Sequence, residues 1–158
     1  MRHHLSSRKG FTVLEIMIAT SIVCFLALLA IPAVQNAMRR TERTRLVREM
    51  RTTSDSFMIY AADHDGEMPP TARGTYPEGM QTYFPKNSTW VETPPGGGEW
   101  AWLWFDGSSV LGFRGFVAVL DSEFNETDIQ TIDDDIDNGD ISSGGVIYAS
   151  PWMLYGVN

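Results

Sequence analysis

Residues 11–34 form an apolar run with a single charge in it, Glu15. As a helix, a run of this length crosses a hydrocarbon core of about 30 Å. A carboxylate inside lipid costs a few kcal/mol and marks a functional position by default. The helix dipole favours an acid in the first turn by only about 0.3–1 kcal/mol at exposed sites, too little to offset that cost. A partner charge is therefore wanted, and no cation lies within helical reach of Glu15 along the chain. No small-residue cleavage site closes the apolar run, so it is expected to remain as an anchor. The 158 residues leave room for this one membrane helix and one modest soluble domain.

The helical pattern does not stop where the apolar run stops. Leu46, Met50, Thr53, Phe57 and Tyr60–Ala61 recur at spacings of three and four, which predicts one buried face on a helix reaching about Asp63. From residue 11 to 63 that helix would extend roughly 80 Å at 1.5 Å per residue. His64-Asp65-Gly66 and the following Met68-Pro69-Pro70 end it, with Gly66 able to take a left-handed cap. Pro32 removes one backbone hydrogen bond and crowds the carbonyl of Leu28, which as a residue reading predicts a tolerated kink near the membrane surface.

Charge is divided along the chain. Arg39, Arg40, Arg43, Arg45, Arg48 and Arg51 follow the apolar run, against Glu42 and Glu49; from residue 52 onward Arg73, Lys86 and Arg114 face seventeen carboxylates. An acidic domain of this kind excludes a nucleic-acid partner, because such binding rests on Lys and Arg displacing counterions. The Arg cluster suits lipid headgroups or, more plainly, the solvated face of a helix. The positive-inside rule is ambiguous, since these six Arg outnumber the bases before the apolar run.

Beyond the helix, residues 69–98 are rich in Pro, Gly, Thr and Ser and read as loop, with a short helical turn within 77–85. Trp100, Trp102 and Trp104 alternate with Ala101, Leu103 and Phe105, as in a strand with one aromatic face. Asp106-Gly107 supplies a hairpin turn, and the returning strand would cover 110–120, with Gly112 and Gly115 making room for the rings opposite. The Trp face is expected to be core against the Leu46–Phe57 stripe. The contrary reading is a glycan- or peptide-binding platform. Trp90 and Trp152 are expected to be looser and exposed. Thr127 and Gln130 suggest a capping box for a helix that Gly139 closes, its carboxylates mostly solvated. Residues 146–149 and 152–155 read as a closing hairpin.

Catalytic constellations are missing. His3 and His4 precede the apolar run, His64 stands alone, and the only cysteine, Cys24, lies inside the run. Neither a nucleophile–base pair nor a transition-metal cluster can be built from these, so the chain is expected not to be an enzyme. No cofactor is expected; calcium at Asp137 and Asp140 is a weak candidate, since the acidic run misses the EF-hand pattern. The part of the chain after residue 34 holds no cysteine and so no disulfide.

The segment Arg8-Lys9-Gly10-Phe11-Thr12-Val13-Leu14-Glu15, running into the apolar helix with Pro32 near its end, resembles the leader and first helix of type IV pilins and type II secretion pseudopilins. The resemblance covers residues 8–34. It implies cleavage by a prepilin peptidase between Gly10 and Phe11, N-methylation of Phe11, and assembly contacts at Phe11, Glu15 and Pro32. The freed Phe11 ammonium, in the same chain or a neighbouring copy, would neutralise Glu15 and set the axial register of a filament. Pro32 would let the helix unwind as copies pack. The implied fold is α+β and pilin-like: a long N-terminal helix, membrane-spanning in its first half, packed against a small C-terminal antiparallel sheet. The implied divisions are a leader at 1–10, a transmembrane half at 11–34, an amphipathic half at 35–65 and a periplasmic domain at 66–158. Expected partners are the prepilin peptidase, other copies of the chain, minor pseudopilins and an inner-membrane assembly platform, with the chain a single-pass inner-membrane protein. Without a disulfide, and with Tyr60-Ala61-Ala62-Asp63-His64-Asp65-Gly66 ending the helix, a secretion pseudopilin is the favoured reading. A surface type IV pilin is the alternative, and a signal-anchored glycan- or peptide-binding domain is the alternative of another class.

Overall fold

The computed structural model describes residues 10–105 and 112–157. These fall into two units that divide between Arg39 and Arg40, and a long helix, α1 (Val13–Asp63), contributes to both. In the first unit every residue from 10 to 39 is exposed. The exposed surface over 13–34 is almost wholly apolar, and α1 is long and apolar enough to cross a membrane. Two of its hydroxyls are satisfied locally: those of Thr20 and Ser21 both donate to the Met17 carbonyl, at 3.0 and 2.7 Å. Such back-bonding suits a hydroxyl in a medium that cannot hydrogen-bond. Pro32 stands inside α1 without ending it.

The second unit is built on the stripe that the periodicity marks. Leu46, Met50, Thr53, Phe57 and Ala61 are buried, together with Ser56 one step aside. Five strands form an antiparallel sheet: β1 (Ala72–Arg73), β2 (Glu99–Trp104), β3 (Gly115–Leu120), β4 (Val146–Ala149) and β5 (Trp152–Val157), in the order β1-β2-β3-β5-β4. A second helix, α2 (Glu126–Ile136), enters between β3 and β4. Alternation along the strands turns Trp100, Trp102, Val117, Val119 and Met153 to one side, where they join Leu46, Met50 and Phe57 in a single core. Ala101, Ala118 and Leu120 form a smaller cluster on the other face.

Aromatic rings dominate this core. Phe57 stacks on Trp102 at 3.9 Å, and Trp90 stacks on Trp100 at 5.6 Å. Two buried indoles find acceptors: Trp102 Nε1 donates to the Pro69 carbonyl and Trp90 Nε1 to that of Thr75, both at 2.9 Å. Gly115 is needed where it stands, because a Cβ there would run into the Trp102 ring. The Trp face is therefore core, and Trp90 is buried rather than loose, since the Pro/Gly-rich segment folds it under Phe57 and Phe84. Trp152 is 44% exposed, as expected.

Several local expectations shift. The segment read as loop contains β1, a two-residue edge strand paired to Ala101 and Trp102, too short to show an alternating pattern. The short helical turn appears as a 3-10 turn at Met80–Thr82. The expected Asp106-Gly107 turn and the start of the returning strand, Val110 included, lie outside the described residues; β3 begins at Gly115. Among the described residues Gly112 has no neighbour beyond those adjacent in the chain within 4 Å of where a Cβ would sit, so no described ring opposite it needs the room. At the end of α1, Asp65 already has a positive φ of 53° and the N–H of Gly66 donates to the Ala61 carbonyl at 2.8 Å. Gly66 follows with a φ of 85°, the left-handed backbone expected of it, and Asp65 shares that conformation, which Asp tolerates better than most side chains.

The capping box of α2 also sits two residues earlier than Thr127 and Gln130. Asn125 is the N-cap: its side chain accepts from the Asp128 N–H at 2.9 Å, and the Asp128 carboxylate accepts from the Asn125 N–H. Asp128 also receives Arg43 at 3.0 Å, so one carboxylate caps α2 and ties it to α1. Asp133 departs from the solvated face: it is fully buried, and neither carboxylate oxygen makes a hydrogen bond of ordinary geometry among the described residues. Burial pushes its pKa up, and the negative charges of Asp137, Asp134 and Asp140 add to the rise, offset in part by the Gly139 N–H.

Two outcomes follow for the detergent-solubilised full chain. Phe57→Ala should destabilise the second unit by about 3–5 kcal/mol, the usual cost of emptying a buried Phe site, read as a lowered denaturation midpoint. Asp133→Asn should raise thermal stability at neutral pH. The folded state raises the Asp133 pKa, so the ionised form is disfavoured on folding; that penalty is absent below the unfolded Asp pKa of about 4 and grows as pH rises through the higher folded value. The advantage of Asn should accordingly vanish on acidification, and an advantage that persists in acid would contradict this account.

Candidate functional site at the Gly10–Phe11 junction

Gly10, Phe11 and Thr12 precede the helix in non-helical backbone, and Phe11 is 83% exposed. The peptide bond between Gly10 and Phe11 is therefore outside the α1 hydrogen-bond ladder, and among the described residues no atom beyond its chain neighbours lies within 4 Å of where a Gly10 Cβ would stand. Arg8 and Lys9 lie outside the described residues.

Helix α1 starts at Val13 because Thr12 and Glu15 close a capping box. The Thr12 hydroxyl accepts from the Glu15 N–H at 3.2 Å, and Glu15 Oε2 accepts from both the Thr12 N–H and the Thr12 hydroxyl at 2.9 Å. The partner charge that Glu15 wants is thus preceded by a local arrangement built on hydrogen bonds. These bonds fix where the carboxylate points without neutralising it. The sequence carries the signal for this, Thr12-Val13-Leu14-Glu15 being the T-x-x-E pattern of a capping box, and reading Glu15 only as a lone charge overlooks it. Thr12 joins Phe11 and Glu15 as a site residue on these grounds. Pro32 stands further along α1, seventeen residues past Glu15 in sequence, and no contact brings the two together.

Asp137 and Asp140 sit in the loop after α2, and each is turned onto its own backbone. Asp137 accepts from the N–H groups of Gly145 and Val146. Asp140 accepts from the N–H and hydroxyl of Ser142 and the hydroxyl of Ser143, which hold its pKa below the usual carboxylate value. Among the described residues no three His, Cys, Asp or Glu side chains converge as metal ligands do. His64 stacks on Tyr60 at 3.9 Å and its Nδ1 lies 2.8 Å from the Tyr60 carbonyl.

The platform reading of the tryptophans needed an exposed Trp100–Trp104 stripe. Trp100 and Trp102 are 1% and 0% exposed, and only Trp104 is half-buried, with the Arg114 guanidinium 5.2 Å from its ring centre. Packing against α1 therefore buries two of the three rings that this reading needs exposed.

No family model matches the chain, and no solved structure matches it. Curated proteins do match part of it. The chain is 34% identical over 65 residues to fimbrial protein Q of Moraxella bovis, covering 41% of this chain and 40% of that protein. It is 38% identical over 58 residues to a fimbrial protein of Pseudomonas aeruginosa, covering 35% and 38% respectively. It is 39% identical over 57 residues to the type IV major fimbrial protein FimA of Dichelobacter nodosus, covering 34% and 36%. The chain thus spans about two-fifths of the length of these curated relatives. These likenesses bear out the resemblance to type IV pilins and support that family.

Proposed function

We propose that this chain is a structural subunit of a type IV pilus filament, anchored in a membrane by the first part of α1 before assembly. The observation that carries the reading is Glu15: it is the single charge in residues 11–34 and lies just past the Gly10–Phe11 bond. In lipid that charge is costly. A neighbouring copy that brings a free Phe11 ammonium to it lowers the cost at one axial step only, so the pair would set register while apolar helix packing supplies the cohesion. In this reading a prepilin peptidase cuts after Gly10 and Phe11 is methylated. An assembly platform in the inner membrane draws copies into the filament, and the acidic second unit faces outward from the membrane.

The fimbrial names of the relatives favour a pilus subunit over the secretion pseudopilus that the sequence alone suggested. One feature still fits the pseudopilus, the lack of any cysteine after residue 34 with which to staple a C-terminal loop. Mass spectrometry of N-terminal peptides separates the two readings. A methylated peptide beginning at Phe11, abundant in fibres sheared from the cell surface, is expected of the pilus subunit. The same peptide confined to the envelope would favour the pseudopilus, and a peptide that retains residues 1–10 everywhere would sink both.

A paired substitution tests the role of the charge. Glu15→Gln retains a side chain that can close the capping box but removes the charge, whereas Glu15→Leu removes both. Both variants should still be cut at Gly10 and both should fail to yield sheared fibres. Normal fibres from Glu15→Gln would show that capping alone accounts for the residue.

A further inference from the structure

The Arg cluster is only partly used within the second unit. Arg43 is taken by Asp128 and Arg45 by Glu49, the latter at 2.7 Å. Arg40, Arg48 and Arg51 are exposed and make no ion pair among the described residues. At 3.6 residues per turn they fall within an arc of about 80° on α1, a cationic stripe rather than a scatter.

Beside this stripe lies a cleft of about 490 Å³, between α1 and the segment 85–90. Arg48 and Thr52 line one side, and Asn87 and Ser88 line the other. The one carboxylate among its lining residues, Glu49, is already engaged by Arg45 and by the Thr89 hydroxyl at 2.7 Å. Trp100, also in its wall, has a buried indole N–H with no acceptor among the described residues. Donors therefore exceed free acceptors in and around the cleft, which suits an occupant rich in anionic oxygen.

The chain itself supplies such a surface. From residue 52 onward seventeen carboxylates oppose three bases. Glu123, Glu126 and Asp135 are exposed, and their carboxylates have no hydrogen-bond or ion-pair partner among the described residues. A filament needs a heterologous contact, in which one patch meets a different patch of the next copy. Separate cationic and anionic patches on one chain meet that requirement and reject mispairing of like with like.

We propose that the cleft at Arg48, with the Arg40–Arg51 stripe beside it, receives carboxylates from the acidic surface of a second copy of this chain. This rests on the filament reading and adds to it a contact outside the membrane.

The test uses the full-length chain in cells, with Cys24→Ser removing the only native thiol. Sheared fibres from that background are the reference, and their absence would sink the filament reading before the cleft is tested. Copies bearing Arg48→Cys are then co-expressed with copies bearing Glu123→Cys, Glu126→Cys or Asp135→Cys. A mixed, size-distinguished dimer should form under mild oxidation with at least one of the three. The double variant Arg48→Glu/Arg51→Glu should lose most fibres, and reversing the identified acid to Lys should restore them. Fibres that persist with no mixed dimer would overturn the cleft alone. A charge reversal that weakens binding to phosphatidylglycerol vesicles, while fibre yield stays unchanged, would assign the stripe to lipid headgroups and also overturn it.

Discussion

Everything in the second unit rests on one constraint: the stripe from Leu46 to Ala61 on α1 must be kept from water. A helix cannot bury its own side chains, so the rest of the unit is arranged to cover that stripe. Phe57 lies at the centre of this cover, flat on Trp102 and edge-on to Phe84 and Trp90. The sheet supplies alternate residues of β2, β3 and β5 to the same core, and α2 adds Ile129 and Ile132. The Arg43–Asp128 pair then fixes where α2 begins relative to α1. Removing the stripe would leave the sheet with one apolar face and nothing to cover it.

The first part of α1 answers to a different solvent. Its side chains are apolar on every side, and its hydroxyls turn back on the helix. The one exception, Glu15, is held by Thr12 in a fixed direction at the helix start. A carboxylate whose hydrogen bonds are local keeps its negative charge available while losing orientational freedom. That is the condition under which a cation arriving from another copy meets a pre-set acceptor rather than a mobile one.

The long helix, its buried stripe and the closing hairpin were legible in the sequence because each repeats a regular period. Leu46, Met50, Phe57 and Ala61 keep helical spacing over four turns, and Trp100 and Trp102 keep strand spacing beside Ala101 and Leu103. Features set by a single tertiary contact were harder to read. Trp90 stands in a Pro/Gly-rich stretch with no period of its own, and its burial depends on Phe57 approaching from elsewhere in the chain. The burial of Asp133 depends on how α2 sits, which its acidic neighbours hide. The Asn125–Asp128 box competed with an equally plausible pattern two residues on. At the site, Gly10, Phe11 and Glu15 stood out through their chemistry, while Thr12 was overlooked because its partner had already been explained as a charge.

The placement of Cys24 has a consequence for how such a chain matures. With its sole thiol in the apolar half and none after residue 34, the second unit is closed by non-covalent contacts: apolar packing, hydrogen bonds and the Arg43–Asp128 pair. Its folding needs no oxidant and no disulfide-exchange enzyme, and it proceeds by the same route on either side of a redox boundary. The unit is therefore indifferent to the electron-transfer state of its compartment, and a reducing environment that would open a stapled loop leaves this one shut.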